Sequence, residues 1–228
     1  DLPPGARVLD LGCGSGRHTA AAYRLPGAHV IGVDLACADL SAARERLQLH
    51  DRLGAHGGGR WDLCAADGLR LPFADGRFDL VVCAEMLEHV RADSRVLAEI
   101  ARVLRPGGEL AVSVPRHGPE RLCWALSADY AAAEGGHVRI YCKPALLARL
   151  RRAGLKPRAS HYAHSLHTPF WWLKCLAGPR RTDAPLVNLY HRLLVWDLKK
   201  KPRLTRVIDR LLNPLLGKSL VVYARKAN

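Results

Sequence analysis

The most constraining feature of this chain is a segment in which an apolar run ends in an acid and opens into three alternate glycines, Val8-Leu9-Asp10-Leu11-Gly12-Cys13-Gly14-Ser15-Gly16. The pattern predicts a short buried strand and then a turn whose backbone comes close to a ligand. Glycine is required where a Cβ would block that approach or where φ must be positive. Such a turn by itself is found in several nucleotide-binding folds. The segments that follow it must therefore decide the family.

Four further segments agree with this interpretation of the glycine turn. A second apolar run ends at Asp34, about 20 residues after the glycine turn, where an acid of a doubly wound sheet accepts hydrogen bonds from ribose hydroxyls. Residues 63–68 end a third strand in Asp-Gly, and residues 78–90 join a fourth strand to Leu-Glu-His-Val. Residues 102–110 end a helix at Arg-Pro-Gly-Gly and begin a fifth strand.

In this order and spacing, the five segments resemble the class I S-adenosylmethionine-dependent methyltransferases. The similar branch is the type 11-like one, which contains the ubiquinone and menaquinone methyltransferases and many small-molecule O-methyltransferases. The resemblance covers residues 7–160 and returns at the last strand. A dinucleotide-binding dehydrogenase is disfavoured by the glycine spacing. The third glycine stands two positions after the second, whereas the dehydrogenase pattern places it three positions after.

The resemblance implies S-adenosylmethionine as cofactor, with S-adenosylhomocysteine as its product. The glycine turn would surround the methionine end, Asp34 the ribose and Asp67 the adenine edge. The implied cofactor-binding residues are Asp10, Gly12, Cys13, Gly14, Gly16, Asp34, Leu35, Asp67, Gly68, Leu69, Glu85 and Met86. Turn or helix capping is the alternative role for the three aspartates, above all for Asp67, because Asp-Gly is a common turn.

Alternating strands and helices predict a Rossmann-like, doubly wound α/β fold with a seven-stranded sheet and an antiparallel last strand, residues 219–225, at its edge. The other expected strands are residues 7–11, 29–33, 60–65, 78–84, 109–115 and 156–162, and the expected helices are residues 17–24, 38–50, 92–104 and 143–153. We assign residues 1–162 and 219–228 to the cofactor-binding domain. Residues 163–218 form a helical, basic insertion between strands 6 and 7.

Length and composition suit one large α/β domain, since 228 residues with 49% hydrophobic content build an ample core. The seven cysteines include no Cys-x-x-Cys pair, which favours a reducing cytoplasm over a disulfide framework or a zinc site. We expect a cytoplasmic protein, with peripheral attachment to the inner membrane face left open. We also expect that the helices which precede the first strand in this family are missing ahead of Asp1.

The positive charge is concentrated in the second part of the chain. Residues 1–150 carry 18 basic and 18 acidic residues, whereas residues 151–228 carry 17 and 3. The insertion holds 11 basic and 3 acidic residues together with Phe170, Trp171, Trp172, Tyr190 and Trp196. The part of the chain that we expect to bind the cofactor is therefore neutral overall, whereas the insertion is basic and aromatic.

Two amphipathic helices are predicted in the insertion, at residues 186–200 and 203–212, with Pro202 between them and Asn213-Pro214 at the end. One interpretation is that their apolar faces pack on the sheet while their basic faces lie in water. Three functional interpretations remain open: contact with an anionic membrane, retention of an anionic substrate, and contact with nucleic acid. Nucleic acid is the least favoured, because the sequence contains no Asn/Asp-Pro-Pro-Tyr signature.

Methyl transfer to a hydroxyl or an enolisable carbon needs a base, and two histidines are candidate catalytic residues. His137 belongs to a His-x-Arg-x-aromatic element, and His89 belongs to Leu-Glu-His-Val. The candidate substrate-binding residues are His117, Arg139, Tyr141, Trp171 and Trp172.

His161, His164 and His167 are spaced by three residues, a pattern that raises the question of a metal. They have no local carboxylate or cysteine partner, so we interpret them as part of a substrate-facing loop and predict no metal site.

The sequence thus predicts methylation of a small-molecule acceptor, with a hydroxyl of a sugar, glycolipid or polyketide-like compound favoured. Three alternatives remain: C-methylation of a quinone-type lipid, methylation of RNA, and a non-catalytic cofactor-binding scaffold whose insertion docks a partner.

Overall fold

A computed structural model describes residues 2–133 and 136–227. Asp1 and Asn228, the ends of the expected domain, lie outside the described residues, as does the Glu134-Gly135 pair ahead of His137.

The described residues form a seven-stranded sheet with helices between its strands. The strands are β1 (Arg7–Leu11), β2 (His29–Asp34), β3 (Arg60–Ala65), β4 (Phe78–Ala84), β5 (Leu104–Pro115), β6 (Leu155–Ala163) and β7 (Ser219–Lys226). The helices are α1 (Arg17–Ala22), α2 (Cys37–Arg52), α3 (Asp93–Val103), α4 (His117–Leu126), α5 (Ala128–Ala131), α6 (Lys143–Arg152), α7 (His167–Ala177), α8 (Pro185–Lys200) and α9 (Arg203–Leu216). A short 3₁₀ helix, Leu87–His89, follows β4.

The strand order in the sheet is β3-β2-β1-β4-β5-β7-β6. Strands β1 to β5 pair in parallel, with Leu11 of β1 opposite Val33 of β2 and Cys83 of β4. The carboxyl ends of these strands therefore lie along the same side of the sheet, which we call the carboxyl edge. Ligands bind at this side in open α/β folds. The predicted doubly wound α/β class is confirmed.

The last strand is antiparallel, as expected, but it is not at the edge of the sheet. The backbone N–H of Arg116, just past the end of β5, donates to the carbonyl of Lys218 at the start of β7. At the other end, the Lys226 ammonium donates to the carbonyl of Leu104, the first residue of β5. β7 therefore runs opposite to β5 and lies between β5 and β6, so the edge strand is β6.

The buried side chains follow the apolar runs of the sequence. Val8, Leu9 and Leu11 of β1 are buried on both faces of the strand, as a central parallel strand requires. Phe78, at the start of β4, is also fully buried. Replacing such a buried phenylalanine by alanine typically lowers the free energy of unfolding by about 3–5 kcal/mol. The packing of these strands therefore stabilises the sheet whose carboxyl edge carries the glycine turn.

The described residues form two compact units. The first contains residues 2–113, 147–159 and 222–227, and it includes most of the sheet. The second contains residues 114–133, 136–146 and 160–221. Residues 163–218 thus share a unit with the segment that follows β5.

Several expected element boundaries are wrong from β5 onward. β5 begins at Leu104 rather than at residue 109, and the helices α4, α5 and α7 were not expected. The three-histidine segment is only partly a loop, because His161 belongs to β6 and His167 begins α7. His164 lies between them with a φ of +65°.

The helix α9 passes through Asn213-Pro214, where we expected it to end. Its last turn persists because the Gly217 N–H still donates to the Asn213 carbonyl. The Thr168 hydroxyl also donates to the Leu216 carbonyl, at 2.6 Å, and satisfies a backbone group that the helix end leaves open.

Candidate active site

The glycine turn follows β1 at the carboxyl end of the strand, and two of its three glycines are closely packed while the third is open. All three have positive φ, at +72° for Gly12, +47° for Gly14 and +76° for Gly16. A Cβ on Gly12 would lie 2.7 Å from Cγ of Met86, and one on Gly16 would lie 2.9 Å from Cβ of Ala43. A Cβ on Gly14 would meet no atom within 4 Å. Gly14 therefore leaves open space at the point where a ligand could approach the backbone.

Asp34, at the end of β2, holds this turn from the neighbouring strand. Its Oδ2 accepts from the Gly14 N–H at 2.8 Å, and its Oδ1 accepts from the Ala36 N–H at 3.0 Å. The next residue, Leu35, is a large apolar side chain that is 69% exposed. A carboxylate beside an exposed apolar surface can recognise ribose hydroxyls and an adjoining ring.

Asp10 is a buried acid beneath the turn. Its side chain is 1% exposed, and its Oδ2 accepts from the Thr19 hydroxyl at 2.6 Å. Burial raises the pKa of this carboxyl above its ordinary value of 3.8, although the Thr19 hydrogen bond opposes the shift. Its Oδ1 has no hydrogen-bond partner among the described residues. A buried oxygen of this kind calls for a donor, which a ligand or an ordered water can supply.

Cys13 lies in the interior rather than on the open side of the turn. Its backbone N–H donates to the Val33 carbonyl, and its Sγ would lie 3.1 Å from a Cβ on Gly32. Burial, reinforced by the charges of Asp10 and Asp34, raises the pKa of its thiol to about 12. The thiol therefore stays protonated and packs as a small apolar group.

The third strand end carries Asp67, Gly68 and Leu69. Oδ1 of Asp67 accepts from the Leu69 N–H at 2.9 Å, which is the turn that the alternative interpretation of Asp67 anticipated. A Cβ on Gly68 would lie 2.9 Å from Cε of Met86. Met86 therefore lies against two glycines, Gly12 and Gly68, and joins the β1 and β3 turns at one edge.

Glu85, just past β4, has an unusual backbone conformation. Its φ is +51°, a region that costs energy for a residue with a side chain and that is found preferentially at functional sites. Two contacts with Ser113 hold it there: the Glu85 N–H donates to the Ser113 carbonyl, and the Ser113 hydroxyl donates to Oε1 of Glu85 at 2.8 Å. The first unit thus brings all twelve predicted cofactor-binding residues to the carboxyl ends of β1 to β4, with the side chain of Cys13 turned inward.

The second unit contains a cleft of about 470 Å³. Three predicted substrate-binding residues, His117, Tyr141 and Trp172, line it, and so do Arg116 and Tyr162. The remaining lining residues are Gly118, Pro119, Cys142, Lys143, Pro144, Leu215 and Leu220. The volume is that of a small-molecule site, and the lining combines aromatic rings with cations.

Arg116 lines the cleft but was not among the site residues expected from the sequence. Its guanidinium lies 3.9 Å from the centre of the Tyr162 ring and donates to the Leu215 carbonyl at 3.0 Å. Arg116 follows β5 directly, so the rule that ligands bind past the ends of parallel strands could have identified it. No sequence signal pairs it with Tyr162, because the two residues are brought together only by the fold.

His137 is paired with a buried acid that the sequence analysis also missed. Its Nδ1 lies 2.6 Å from Oε1 of Glu120, which is 1% exposed. Burial by itself raises the pKa of Glu120, but the His137 hydrogen bond and the Lys218 charge outweigh it, so the pKa falls below its ordinary value. Lys218 Nζ lies 3.5 Å from the other carboxylate oxygen. Glu120 is therefore an anion that fixes the orientation of the imidazole.

Trp171 and Arg139 do not line the cleft. The Trp171 ring lies 5.9 Å from that of Tyr130 and 5.2 Å from Lys218 Nζ. Arg139 lies 5.9 Å from the Tyr141 ring. Trp171 thus belongs to the surroundings of the Glu120 pair.

His89 is the last residue of the 3₁₀ helix after β4 and is exposed. Its backbone N–H donates to the Met86 carbonyl, so the segment continues directly from the Met86 turn.

Comparison with known proteins agrees with this geometry. Residues 9–112 match the family model "Methyltransferase domain". The chain contains a methyltransferase domain. It is 45% identical over 120 residues to a demethylmenaquinone methyltransferase from Parafrankia sp., a match that covers 49% of this chain and 47% of that protein. It is also 35% identical over 163 residues to a ubiquinone biosynthesis O-methyltransferase from Marinobacter nauticus. This match covers 68% of this chain and 65% of that protein.

Solved structures agree on the fold. An S-adenosylmethionine-dependent methyltransferase from Methanosarcina mazei superimposes with a TM-score of 0.63 and 17% identity, covering 99% of this chain and 94% of that one. The chain spans about half the length of the first curated relatives that it matches.

The residues of the methyltransferase domain fit S-adenosylmethionine, the cofactor that the sequence resemblance implies. The open side of Gly14, the Asp34 carboxylate and the unsatisfied Oδ1 of Asp10 are features that a ligand with amino and ribose groups can satisfy.

Proposed function

We propose that the protein transfers the methyl group of S-adenosylmethionine to a hydroxyl of a small molecule, with a sugar, glycolipid or polyketide-like compound as the favoured acceptor class. The proposal rests on the arrangement of three residues at the carboxyl edge of the sheet. There Asp10 keeps an unsatisfied oxygen, Gly14 leaves space, and Asp34 supports the turn.

When bound, the cofactor supplies a methyl carbon that a sulfonium already activates. The protein therefore has mainly to orient the acceptor, exclude water and remove a proton. We assign Asp34 and Leu35 to the ribose side, Asp67, Gly68 and Leu69 to the adenine edge, and Asp10 and the glycine turn to the methionine end. Glu85 and Met86 line the mouth of this site in the same proposal.

The cleft of the second unit supports a small and polar aromatic or glycosidic acceptor. Tyr141, Tyr162 and Trp172 offer flat apolar surfaces, while Arg116 and Lys143 offer positive charge. Positive charge near an acceptor hydroxyl stabilises the developing alkoxide as its proton leaves.

In this proposal, His137 is the base. The Glu120 carboxylate accepts a hydrogen bond from the Nδ1–H group, so the lone pair of the neutral imidazole is on Nε2. Nε2 takes the acceptor hydroxyl proton during methyl transfer and returns it to solvent afterwards. Glu120 acts through His137 and is a positioning residue.

The cofactor assignment is tested by calorimetric titration with S-adenosylhomocysteine. We expect Asp34→Ala to weaken binding by about 10- to 100-fold, which corresponds to about 1.4–2.8 kcal/mol. Asp39→Ala, which removes an exposed acid nearby on α2, is the matched control and should bind like the wild type. No binding by the wild type, or equal losses in both variants, would overturn the assignment.

The acceptor is tested with methyl-labelled S-adenosylmethionine and a cell extract, fractionated into lipid, glycan, small-molecule, RNA and protein pools. Label in the lipid, glycan or small-molecule pool supports the proposal. Label in RNA, or intact cofactor binding without label in any pool, contradicts it and favours the nucleic-acid or scaffold alternative.

C-methylation of a quinone-type lipid is the second candidate, because one of the curated relatives described above is a demethylmenaquinone methyltransferase. Heating the labelled product with hydroiodic acid separates the two reactions. The reagent releases the methyl group of an ether as iodomethane and leaves a methyl group on carbon in place.

A further inference from the structure

The helix α9 is attached to its own unit by its polar side. Oδ1 of Asp209 accepts from the Ser165 hydroxyl at 2.8 Å, and Oδ1 of Asn213 accepts from the Ser165 N–H at 3.0 Å. The Thr168 hydroxyl donates to the carbonyl of Leu216. A helix of a water-soluble protein ordinarily turns its apolar stripe inward, so this attachment is inverted.

The apolar side of α9 consequently faces outward, and none of its residues is buried. Leu204 is 69% exposed, Leu211 71% and Leu215 73%, with Val207 and Ile208 also exposed on the same stripe. The interpretation that both amphipathic helices pack their apolar faces on the sheet is therefore wrong for α9.

The preceding helix has a second exposed stripe. Leu186, Leu189, Leu193 and Trp196 of α8 recur at helical spacing and are all exposed, while Val187 and Leu194 are buried on another side. Residues 185–216, which we call the α8–α9 segment, thus expose ten large apolar side chains, the tenth being Leu198. Isolated apolar residues are common on protein surfaces, but contiguous exposed stripes mark interaction sites.

The basic residues of the α8–α9 segment are exposed, whereas its acidic residues are not. Its seven basic residues are all exposed: Arg192, Lys199, Lys200, Lys201, Arg203, Arg206 and Arg210. Its two acids are half-buried and engaged, because Asp197 accepts from the Thr205 hydroxyl and Asp209 accepts from that of Ser165. The outer surface of the segment is therefore apolar and cationic without an exposed acid.

We propose that the α8–α9 segment lies in the interfacial layer of a membrane that contains anionic lipids. Apolar stripes flanked by arginine and lysine bury their apolar side at the acyl boundary while the cations bind headgroup phosphates. Trp196 belongs to the residue type that prefers this layer.

Two properties of the segment favour a membrane surface over other occupants. A second copy of this chain would bring seven exposed cations against seven others, which like-charge repulsion opposes. α9 has 14 residues, about 21 Å of helix, and among the described residues we find no helix long and apolar enough to cross a bilayer. The segment is therefore suited to lie on a membrane, and this inference does not depend on which acceptor is methylated.

Flotation of the purified protein with lipid vesicles tests the proposal. The vesicles are made of phosphatidylcholine alone or with roughly 30 mol% phosphatidylglycerol. We expect the protein to float with the anionic vesicles, to float far less with the neutral ones, and to be released by high salt. Binding of S-adenosylhomocysteine is measured on the same samples, so a failure of membrane binding is distinguished from a failure of the cofactor assignment.

Two pairs of variants separate the charge from the apolar contribution. The triple charge reversal Arg203→Glu, Arg206→Glu and Arg210→Glu should lower the bound fraction at least about 10-fold. Its control reverses three exposed arginines of the first unit, Arg24, Arg44 and Arg52, and changes the net charge equally.

Leu204→Ser with Leu211→Ser should also lower the bound fraction, whereas Leu49→Ser with Leu53→Ser, at exposed leucines of α2 and its end, should not. Equal losses in the paired variants would overturn the proposal. Absence of binding to anionic vesicles would do the same. Light scattering would assign the surface to a second copy instead if it detected a dimer of the wild type that the Leu204→Ser and Leu211→Ser changes dissociate.

Discussion

Nδ1 of His137 and Oε1 of Glu120 lie 2.6 Å apart, and the glutamate side chain that makes this contact is almost completely buried. A buried carboxylate is costly unless other groups stabilise it. Lys218 supplies a positive charge at 3.5 Å, and Tyr130 supplies a further hydrogen bond. Burial, followed by the Glu120 charge, raises the pKa of Tyr130, so its hydroxyl stays a donor. Three side chains, those of Glu120, Lys218 and Tyr130, thus maintain one oriented imidazole.

This pair yields the first prediction. His137→Ala should lower kcat by about 100-fold or more, since it removes the proposed base, while affinity for S-adenosylhomocysteine stays unchanged. Glu120→Gln should lower kcat by about 10-fold and alter the pH profile of kcat, and Glu120→Asp should restore part of the rate. Arg121→Gln, at the exposed neighbouring position, is the control. Full turnover by His137→Ala would exclude the histidine as the base.

The second prediction concerns two glycines of the turn. Gly14→Ala and Gly16→Ala both place a Cβ at positive φ, which costs about 1–2 kcal/mol each. Gly16→Ala should destabilise the protein further, because its Cβ would lie 2.9 Å from that of Ala43. Gly14→Ala should be the milder change for stability, yet it should weaken cofactor binding by about 10-fold or more.

Gly5→Ala is the matched control for the glycine pair, because Gly5 has a φ of +76° and an equally open Cβ position outside the site. Urea unfolding and calorimetric titration measure the two effects separately. Equal cofactor affinity in Gly14→Ala and Gly5→Ala would contradict the role of Gly14.

The third prediction concerns the buried acid Asp10. Its pKa is raised on folding, so the folded state binds its proton more tightly, and stability falls as pH rises from 3.8 through the folded pKa. The charged carboxylate is therefore less favourable in the folded protein than the neutral acid. Asp10→Asn should leave the free energy of unfolding equal or higher at pH 7 and reduce its decline with pH, while it weakens cofactor binding. A variant that is less stable at pH 7 and binds normally would refute this account.

The fourth prediction concerns Arg102 at the end of α3. Its guanidinium donates to Glu99 and Asp75 and to the carbonyls of Leu71 and Phe73, so it holds the segment between β3 and β4. Arg102→Met should cost about 2–3 kcal/mol of unfolding free energy, because it removes charge-assisted hydrogen bonds. Arg102→Lys should recover only part of this loss, since lysine lacks the planar fork.

The same contact predicts a pH dependence. The Arg102 hydrogen bond lowers the pKa of Glu99 below its ordinary value of 4.5. The associated stability is therefore complete above that value and is lost as pH falls through the folded pKa. Unfolding measured at pH 7 and pH 4 should show that the gap between wild type and Arg102→Met narrows at the lower pH. A constant gap would contradict the assignment.

The sequence by itself determined the elements whose signal is local. The bounds of β1, β3 and β4 match the expected strands, because a short run of strand-forming residues between turn residues is a local signal. The glycine turn and the acids at strand ends were also readable, because each lies directly after its own strand.

Only the tertiary structure decided features that depend on distant neighbours. β7 lies inside the sheet because both β5 and β6 offer it open backbone groups, a choice that its own residues do not encode. Glu120 meets His137 across 17 positions and Lys218 across 98. The periodicity of α9 predicted an amphipathic helix correctly but left open which of its two sides lies inward. Amphipathicity defines two faces, and it is the hydrogen bonds from Ser165 and Thr168 that determine which face lies inward.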